Sequence, residues 1–209
     1  MQTQPLAAFD FDGTLVRGDS MWAFFRFVWG VPRLGLRLVR IIPALIAFKA
    51  GWITRQQAKA QIIRTFVGGM PVTVLAAHAA AFTDTWVSTR LRSAGLKKIR
   101  WHQAQGHRVV LVTASLDIWT RPWADQLGIG LIATAAEAVD GYYTGHIGPN
   151  CYGAQKVVRL EQAGWLTPDT PCWAYGDSAG DRELLARATH AFFKPFHHPP
   201  HLSDESTDA

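Results

Sequence analysis

The 209 residues suit one domain, or one domain with a sizeable insertion, and 48% apolar against 18% charged residues without a repeat excludes collagen, long coiled coil and wholesale disorder. The net charge, 21 − 16 = +5, is concentrated in one block. Ser20 to His107 holds thirteen Lys or Arg against one acid, Asp84, giving +12, whereas residues 110–209 hold six basic and twelve acidic residues, giving −6. Such a block is either a solvated face or a docking surface for phosphate groups or anionic lipid. Two cysteines, Cys151 and Cys172, make neither a disulfide framework nor a four-thiolate zinc site. Met1 to Ala8 carries no secretory pattern, so the expected compartment is the cytoplasm.

Leu6 to Phe11 is a short apolar run ending in acids and Gly13, the pattern of a buried strand that presents Asp10 and Asp12 at its C-terminal edge. From Ser20 to about Ser93 the periodicity is helical, with turn signals at Gly30-Val31-Pro32, Gly51 and Gly68-Gly69-Met70-Pro71. Residues 20–93 are therefore expected to form an inserted all-helical cap on a core made of 1–19 and 94–198. Within the cap, Pro32 begins a basic amphipathic helix, with Arg33, Arg37 and Arg40 at i, i+4 and i+7, a neighbouring stripe of Leu34, Leu38, Ile41 and Leu45, and a kink at Pro43. Arg26, Arg33, Arg37, Arg40 and Lys49 interrupt every twenty-residue window between Trp22 and Trp52, which disfavours a spanning helix. The helix either lies against an anionic membrane surface or buries its stripe in the cap and leaves the arginines solvated.

Leu91 to Gln105 reads as a helix stopped by Gly106, and Arg108 to Val112 as a strand ending in Thr113-Ala114-Ser115. Helix over Asp117 to Leu127, strand over Ile129 to Ala133 and a hairpin over Ala138 to Ile147, turning at Asp140-Gly141, follow. Gln155 to Gly164 is helical, Cys172 to Tyr175 is a strand ending in Gly176-Asp177, Arg182 to Arg187 a helix and His190 to Phe193 a last strand. This alternation predicts an α/β fold with a parallel sheet covered on both faces. The polar, acidic Pro199 to Ala209 is expected to be a disordered tail.

Three predicted strands end in polar groups: Asp10 and Asp12, then Thr113, then Asp177 with Asp181. In an open parallel sheet such ends share one edge. Four acids gathered there repel one another unless a cation neutralises them, and an all-oxygen set suits Mg²⁺. Lys156, just inside a helix after Asn150-Cys151-Tyr152-Gly153, adds a positive charge opposite the acids, and a metal with a lysine favours a phosphate. Each residue also has a plain structural reading. An Asp at a strand end caps a turn or helix, Thr113 or Ser115 caps the turn that follows, and Cys151 is a small packed residue. His102 and His107 belong to a helix surface, and His197, His198 and His201 lack the acid partners of a metal site. Trp22, Trp29 and Trp52 suit either a membrane boundary or core packing.

Asp10-Phe11-Asp12-Gly13-Thr14-Leu15 resembles the first motif of the haloacid dehalogenase superfamily. Thr113 after Val109-Val110-Leu111-Val112 is similar to the second, Lys156 to the third, and Gly176-Asp177-Ser178-Ala179-Gly180-Asp181 to the fourth. The insertion between the first two motifs resembles the cap of the phosphoserine phosphatase-like branch, subfamily IB, and Asn150-Cys151-Tyr152-Gly153 with the basic apolar cap resembles the phosphatidylglycerophosphatase C group.

The resemblance implies a Rossmann-like core and a Mg²⁺-dependent phosphomonoesterase. Asp10 is then the nucleophile that forms an aspartyl phosphate, and Asp12 the general acid and base whose backbone carbonyl also binds the metal. Asp10 and Asp177 hold Mg²⁺, Thr113 and Lys156 bind phosphoryl oxygens, and Asp181 orients Lys156 or a metal-bound water. Asp19, seven residues after Asp12, matches an acid that meets an amino group at the mouth of phosphoserine phosphatases, a role without purpose for a phospholipid. A carbon–halogen dehalogenase needs neither an acid at Asp12 nor a metal site around Asp177, an ATP-driven pump carries threonine in place of Asp12, and a non-catalytic scaffold needs no intact acid set. The implied partners are a phosphate ester, either a phosphatidylglycerophosphate-like lipid or a soluble ester such as phosphoserine or histidinol phosphate, and an anionic membrane touched at its periphery. Nucleic acid is not among them.

Overall fold

The computed structural model describes residues 4–197. The expected tail, Pro199 to Ala209, lies outside the described residues, as do His198 and His201. Five strands form one sheet in the order β3-β2-β1-β6-β7, every pair parallel. They are β1 (Leu6–Phe9), β2 (Arg108–Leu116), β3 (Gly130–Thr134), β6 (Cys172–Gly176) and β7 (His190–Phe193). A separate antiparallel pair joins β4 (Ala136–Val139) to β5 (Tyr142–Ile147). Its turn has Asp140 at φ 49° and Gly141 at φ 81°, the two positive angles a two-residue hairpin demands.

Central β1 is buried at all four positions, and alternate residues serve the two faces of the sheet. Ala7 and Phe9 join Leu111 and Tyr175 on one face, while Leu6 and Ala8 join Val110, Val112 and Ala174 on the other. Phe9 pairs with both Leu111 and Tyr175. That register sets the ends of β1, β2 and β6 side by side, with the strand order reversing between β2 and β6, the position where such sheets bind ligands.

Between β1 and β2 run α1 (Ser20–Lys49), α2 (Arg55–Phe66), α3 (Val72–Phe82), a π-helical turn at Thr83–Val87, α4 (Ser88–Arg90) and α5 (Ser93–Ala104). Thr54 and Gln57 exchange bonds in a capping box that starts α2. Phe25 stacks on Phe66 at 4.4 Å and Phe24 on Trp119 at 5.1 Å, so the insertion and the sheet's upper face share one apolar cluster. The β4–β5 hairpin closes on α2 so tightly that a Cβ on Gly145, at φ 83°, would stand 2.8 Å from the Arg64 Cα. The sheet's other face is covered by α7 (Ala154–Gln162) and α8 (Arg182–Arg187), through Leu160 and Leu184, and α6 (Asp117–Leu127) follows β2.

Four sequence expectations are corrected. The break in α1 falls at Gly30 (φ 64°, ψ 168°), whereas Pro43 keeps helical angles. The stripe expected on α1 faces inward at Leu34, Leu38 and Ile41, because those side chains complete the aromatic cluster. Arg37 leaves its expected face as well: it lies 3.4 Å over the Trp29 ring and donates to the Thr65 carbonyl. His102 is buried rather than on a helix surface. It sits three residues after buried Ile99 on the face of α5 that covers the sheet, where its Nε2 pairs with Tyr175 Oη at 2.9 Å and its Nδ1 with His107 at 2.8 Å.

Candidate active site

Asp10 leaves β1 still bonded to the sheet, its N–H donating to the Tyr175 carbonyl. The chain then turns back on itself, since Leu15 and Val16 N–H both bond to the Phe11 carbonyl, and Thr14 is thereby aimed at Asp177, donating to its Oδ1 at 3.2 Å. Gly13, at φ 79°, is required here: a Cβ would stand 2.2 Å from Asp177 Oδ2. Lys156, from the first turn of α7, is buried and places Nζ 2.6 Å from Asp10 Oδ1 and 2.5 Å from Asp181 Oδ1. The other oxygen of Asp181 accepts from the N–H groups of Asp177 and Ser178 and from the Ser178 hydroxyl.

Among the described residues, Asp10, Asp177 and Asp181 bring carboxylate oxygens within 4.8 Å of one another. Burial pushes Asp10 up to about 7 against the opposing pull of Lys156, and burial with the neighbouring Asp181 also raises Asp177. Burial works against the Lys156 ammonium, but Asp10 and Asp181 outweigh it and hold it above the ordinary lysine value. These are hard oxygen donors short of positive charge, and they fit a divalent cation such as Mg²⁺. Both Asp181 oxygens already have partners, so Asp10 and Asp177 are the carboxylates free to face an ion.

Asp12 points elsewhere. Its Oδ1 accepts from Ser20 N–H at 2.7 Å, and its Oδ2 from the Ser20 hydroxyl at 2.9 Å and the Ser115 hydroxyl at 2.5 Å. Trp119 Nε1 donates to the same Ser20 hydroxyl. Burial pushes Asp12 up to about 6 against the lowering effect of these donors. Ser115 reaches it because β2 continues to Leu116, with its register on β3 shifting between Thr113 and Leu116. Thr113, buried, accepts from Ser115 N–H, so Thr113 is the residue that caps this turn and Ser115 the one that holds Asp12.

Asp10, Asp12, Thr113, Ser115 and Lys156 line one cavity of about 380 Å³. Its other wall is apolar: Met21, Trp22, Leu45, Phe48 and Ile62, all from α1 and α2. Asp19 is at the rim, its Oδ1 capping α1 through Met21 and Trp22 N–H. Cys151 is buried and packed, as its plain reading has it.

Sequence reasoning missed a second lysine. Lys59 of α2, which burial lowers to about 8, donates to Asn150 Oδ1 at 2.7 Å, to Thr134 Oγ1 at 3.3 Å and to the Ala114 carbonyl. Gln56 bonds the Gly148 carbonyl and the Asn150 N–H, and Arg55 lies 4.6 Å over the Tyr152 ring. One face of α2 thus grips the loop that leads into Lys156. The only signal was helical spacing, Arg55 and Lys59 one turn apart beside buried Ala58 and Ile62.

The family model of haloacid dehalogenase-like hydrolases matches residues 7–186. Protein CicA of Caulobacter vibrioides is 37% identical over 199 residues, covering 93% of this chain and 88% of that protein. A Bordetella pertussis Tohama I protein of unknown function, solved as a crystal structure, is 31% identical with a TM-score of 0.77, over 90% of this chain and 88% of that one. Phosphoserine phosphatase solved as a phospho-aspartyl intermediate analogue superposes with a TM-score of 0.56 at 19% identity, over 89% and 84% of the two chains, a likeness of fold. The match runs from the strand that carries Asp10 into the helix that follows Asp181, and on it the chain belongs to the haloacid dehalogenase-like hydrolases.

Proposed function

We propose that this hydrolase is a Mg²⁺-dependent phosphomonoesterase of the cytoplasm that works through an aspartyl phosphate, with residues 20–93 as the cap over the core. The observation that carries the reading is the contrast between two carboxyls two residues apart. Asp10 is clamped to a buried lysine among other acids, while Asp12 is held by two serines at a value of about 6, where it can give and take a proton.

Asp10 attacks phosphorus with its carboxylate oxygen, and the phosphorus–oxygen bond to the alcohol breaks as Asp12 protonates the departing alkoxide. Asp12, now ionised, takes a proton from water, whose oxygen attacks the phosphoryl group on Asp10 and frees phosphate. Lys156 and Thr113 hold the phosphoryl oxygens, Ser20 and Ser115 fix the direction of the Asp12 proton, and Asp181 keeps Lys156 turned to Asp10. Asp10, Asp177 and the Asp12 carbonyl would hold Mg²⁺, which when bound offsets the repulsion between a carboxylate nucleophile and a phosphate dianion. Asp19 is the carboxylate that an amine-bearing substrate would meet at the rim.

The apolar wall suits a phosphate ester with a hydrophobic body, and a phosphatidylglycerophosphate-like lipid is the substrate we favour. Assaying the protein with Mg²⁺ against lipid and soluble phosphate esters, with mass spectrometry of quenched turnover, tests this. Phosphate on Asp10 and loss of hydrolysis in Asp10→Asn are expected. Label on Ser115 or Cys151, or full activity after exhaustive chelation, overturns the chemistry. Faster turnover of phosphoserine or histidinol phosphate than of any lipid overturns the substrate alone.

A further inference from the structure

The fold buries the α1 stripe that the sequence singles out, yet the helix carries a second apolar row on its outer side. Val31, Leu36, Val39 and Ile46 are exposed at 63%, 70%, 63% and 59%, with Ile42 among them. Isolated exposed apolar residues are ordinary, but a continuous row along nineteen residues of helix, where polar side chains belong, marks a surface that something covers.

Charge identifies the occupant. Arg33 and Arg40, both exposed, edge the row, Lys49 ends it, and no acid occurs between Ser20 and Asp84. A second copy of α1 laid on this face would bring cations to cations with no carboxylate from this stretch to offset them. An anionic bilayer complements the same surface, taking the apolar row at the acyl boundary and the arginines among head groups. Trp52, 80% exposed just past the helix, is the ring type that favours that boundary. Among the described residues no helix is long and apolar enough to cross a membrane.

We propose that the outer face of α1, beyond Gly30, docks on an anionic lipid surface with its axis in the interface. Leu45 and Phe48 of the same helix line the cavity that holds Asp10, so docking brings the mouth of that cavity to the bilayer. The contact needs no turnover and stands apart from the phosphatase reading.

Flotation of the full chain with vesicles of phosphatidylcholine alone, or of equimolar phosphatidylcholine and phosphatidylglycerol, tests it. The native protein floats with the anionic vesicles, less in high salt, and Arg33→Gln with Arg40→Gln lowers that affinity about 30-fold. Leu36→Gln, Val39→Gln and Ile46→Gln together abolish flotation while circular dichroism and hydrolysis of a soluble phosphate ester stay at the parent's level. Native protein that ignores both vesicles, or prefers neither, overturns the proposal. So does a triple variant that still floats but sediments as a smaller species than the parent, which would give the face to a second copy. Asp10→Asn should float like the parent, so an enzyme inactive on every ester yet bound to anionic vesicles refutes the phosphatase reading and leaves the docking face standing.

Discussion

Replacing Lys156 by Met keeps the side chain's length and removes its charge from between Asp10 and Asp181, which it contacts at 2.6 and 2.5 Å. Taking one partner from a buried ionic group costs about 3–5 kcal/mol, since the carboxylates left behind have neither water nor counter-charge. For a chain of this size that is a fall in Tm of about 6–20 °C. The loss should depend on pH, and the sign follows from Asp10. Its carboxyl, lifted from 3.8 to about 7 by burial, holds a proton more tightly folded than unfolded. The stability this contributes is complete below 3.8 and lost as pH climbs through about 7, an interval worth about 4 kcal/mol. Lys156 is the largest influence lowering that value, so Lys156→Met moves the loss to higher pH and enlarges it. Thermal melts with chelator present should show a small deficit at pH 5, where Asp10 is protonated in both proteins, and a large one at pH 8. Adding Asp10→Asn should recover most of the pH 8 deficit. A deficit equal at both pH values, or unchanged by Asp10→Asn, would refute the assignment of Lys156 as the neutralising charge.

Asp12→Asn should slow both formation and breakdown of the phosphoenzyme by about 10²–10⁴-fold, because one group serves as acid and then base, and single-turnover kinetics with normal rates in either step would remove it from catalysis. Ser115→Ala takes a donor from Asp12 and lets its pKa rise, so the alkaline limb of the kcat/KM profile, which reports the proton on Asp12 in the free enzyme, should move to higher pH; a stationary limb would detach Ser115 from Asp12. Gly145→Ala puts a side chain at φ 83° and 2.8 Å from the Arg64 Cα, and should cost about 1–3 kcal/mol in denaturant melts, with an unchanged midpoint meaning that the hairpin meets α2 less closely.

Which parts of this site were legible depends on whether their cause is local. Asp10, Asp177 and the Asp140-Gly141 turn each follow from a few consecutive residues: an apolar run that ends in an acid, or two positions that tolerate positive φ. Thr113 was read as the residue after a strand, but β2 runs on to Leu116 because pairing with β3 resumes after an irregularity, and nothing in Arg108 to Val112 announces that. In α1, two apolar rows both satisfy the helical period, so periodicity could not say which row Phe24, Phe25 and Phe66 would need for their cluster.

Lys59 shows the same limit at the site itself. It bonds Ala114, Thr134 and Asn150, which are 55, 75 and 91 residues away, so no spacing rule connects it to them. Yet its helix could be described as one with a polar face of Arg55, Gln56 and Lys59 beside a buried Ala58 and Ile62, and a lysine at the edge of a buried face must find acceptors. Those acceptors lie on and beside the loop that delivers Lys156. The charge that balances Asp10 is therefore aimed by a helix from the segment without a motif, and the insertion does part of the positioning that the four strand-end motifs alone would be credited with.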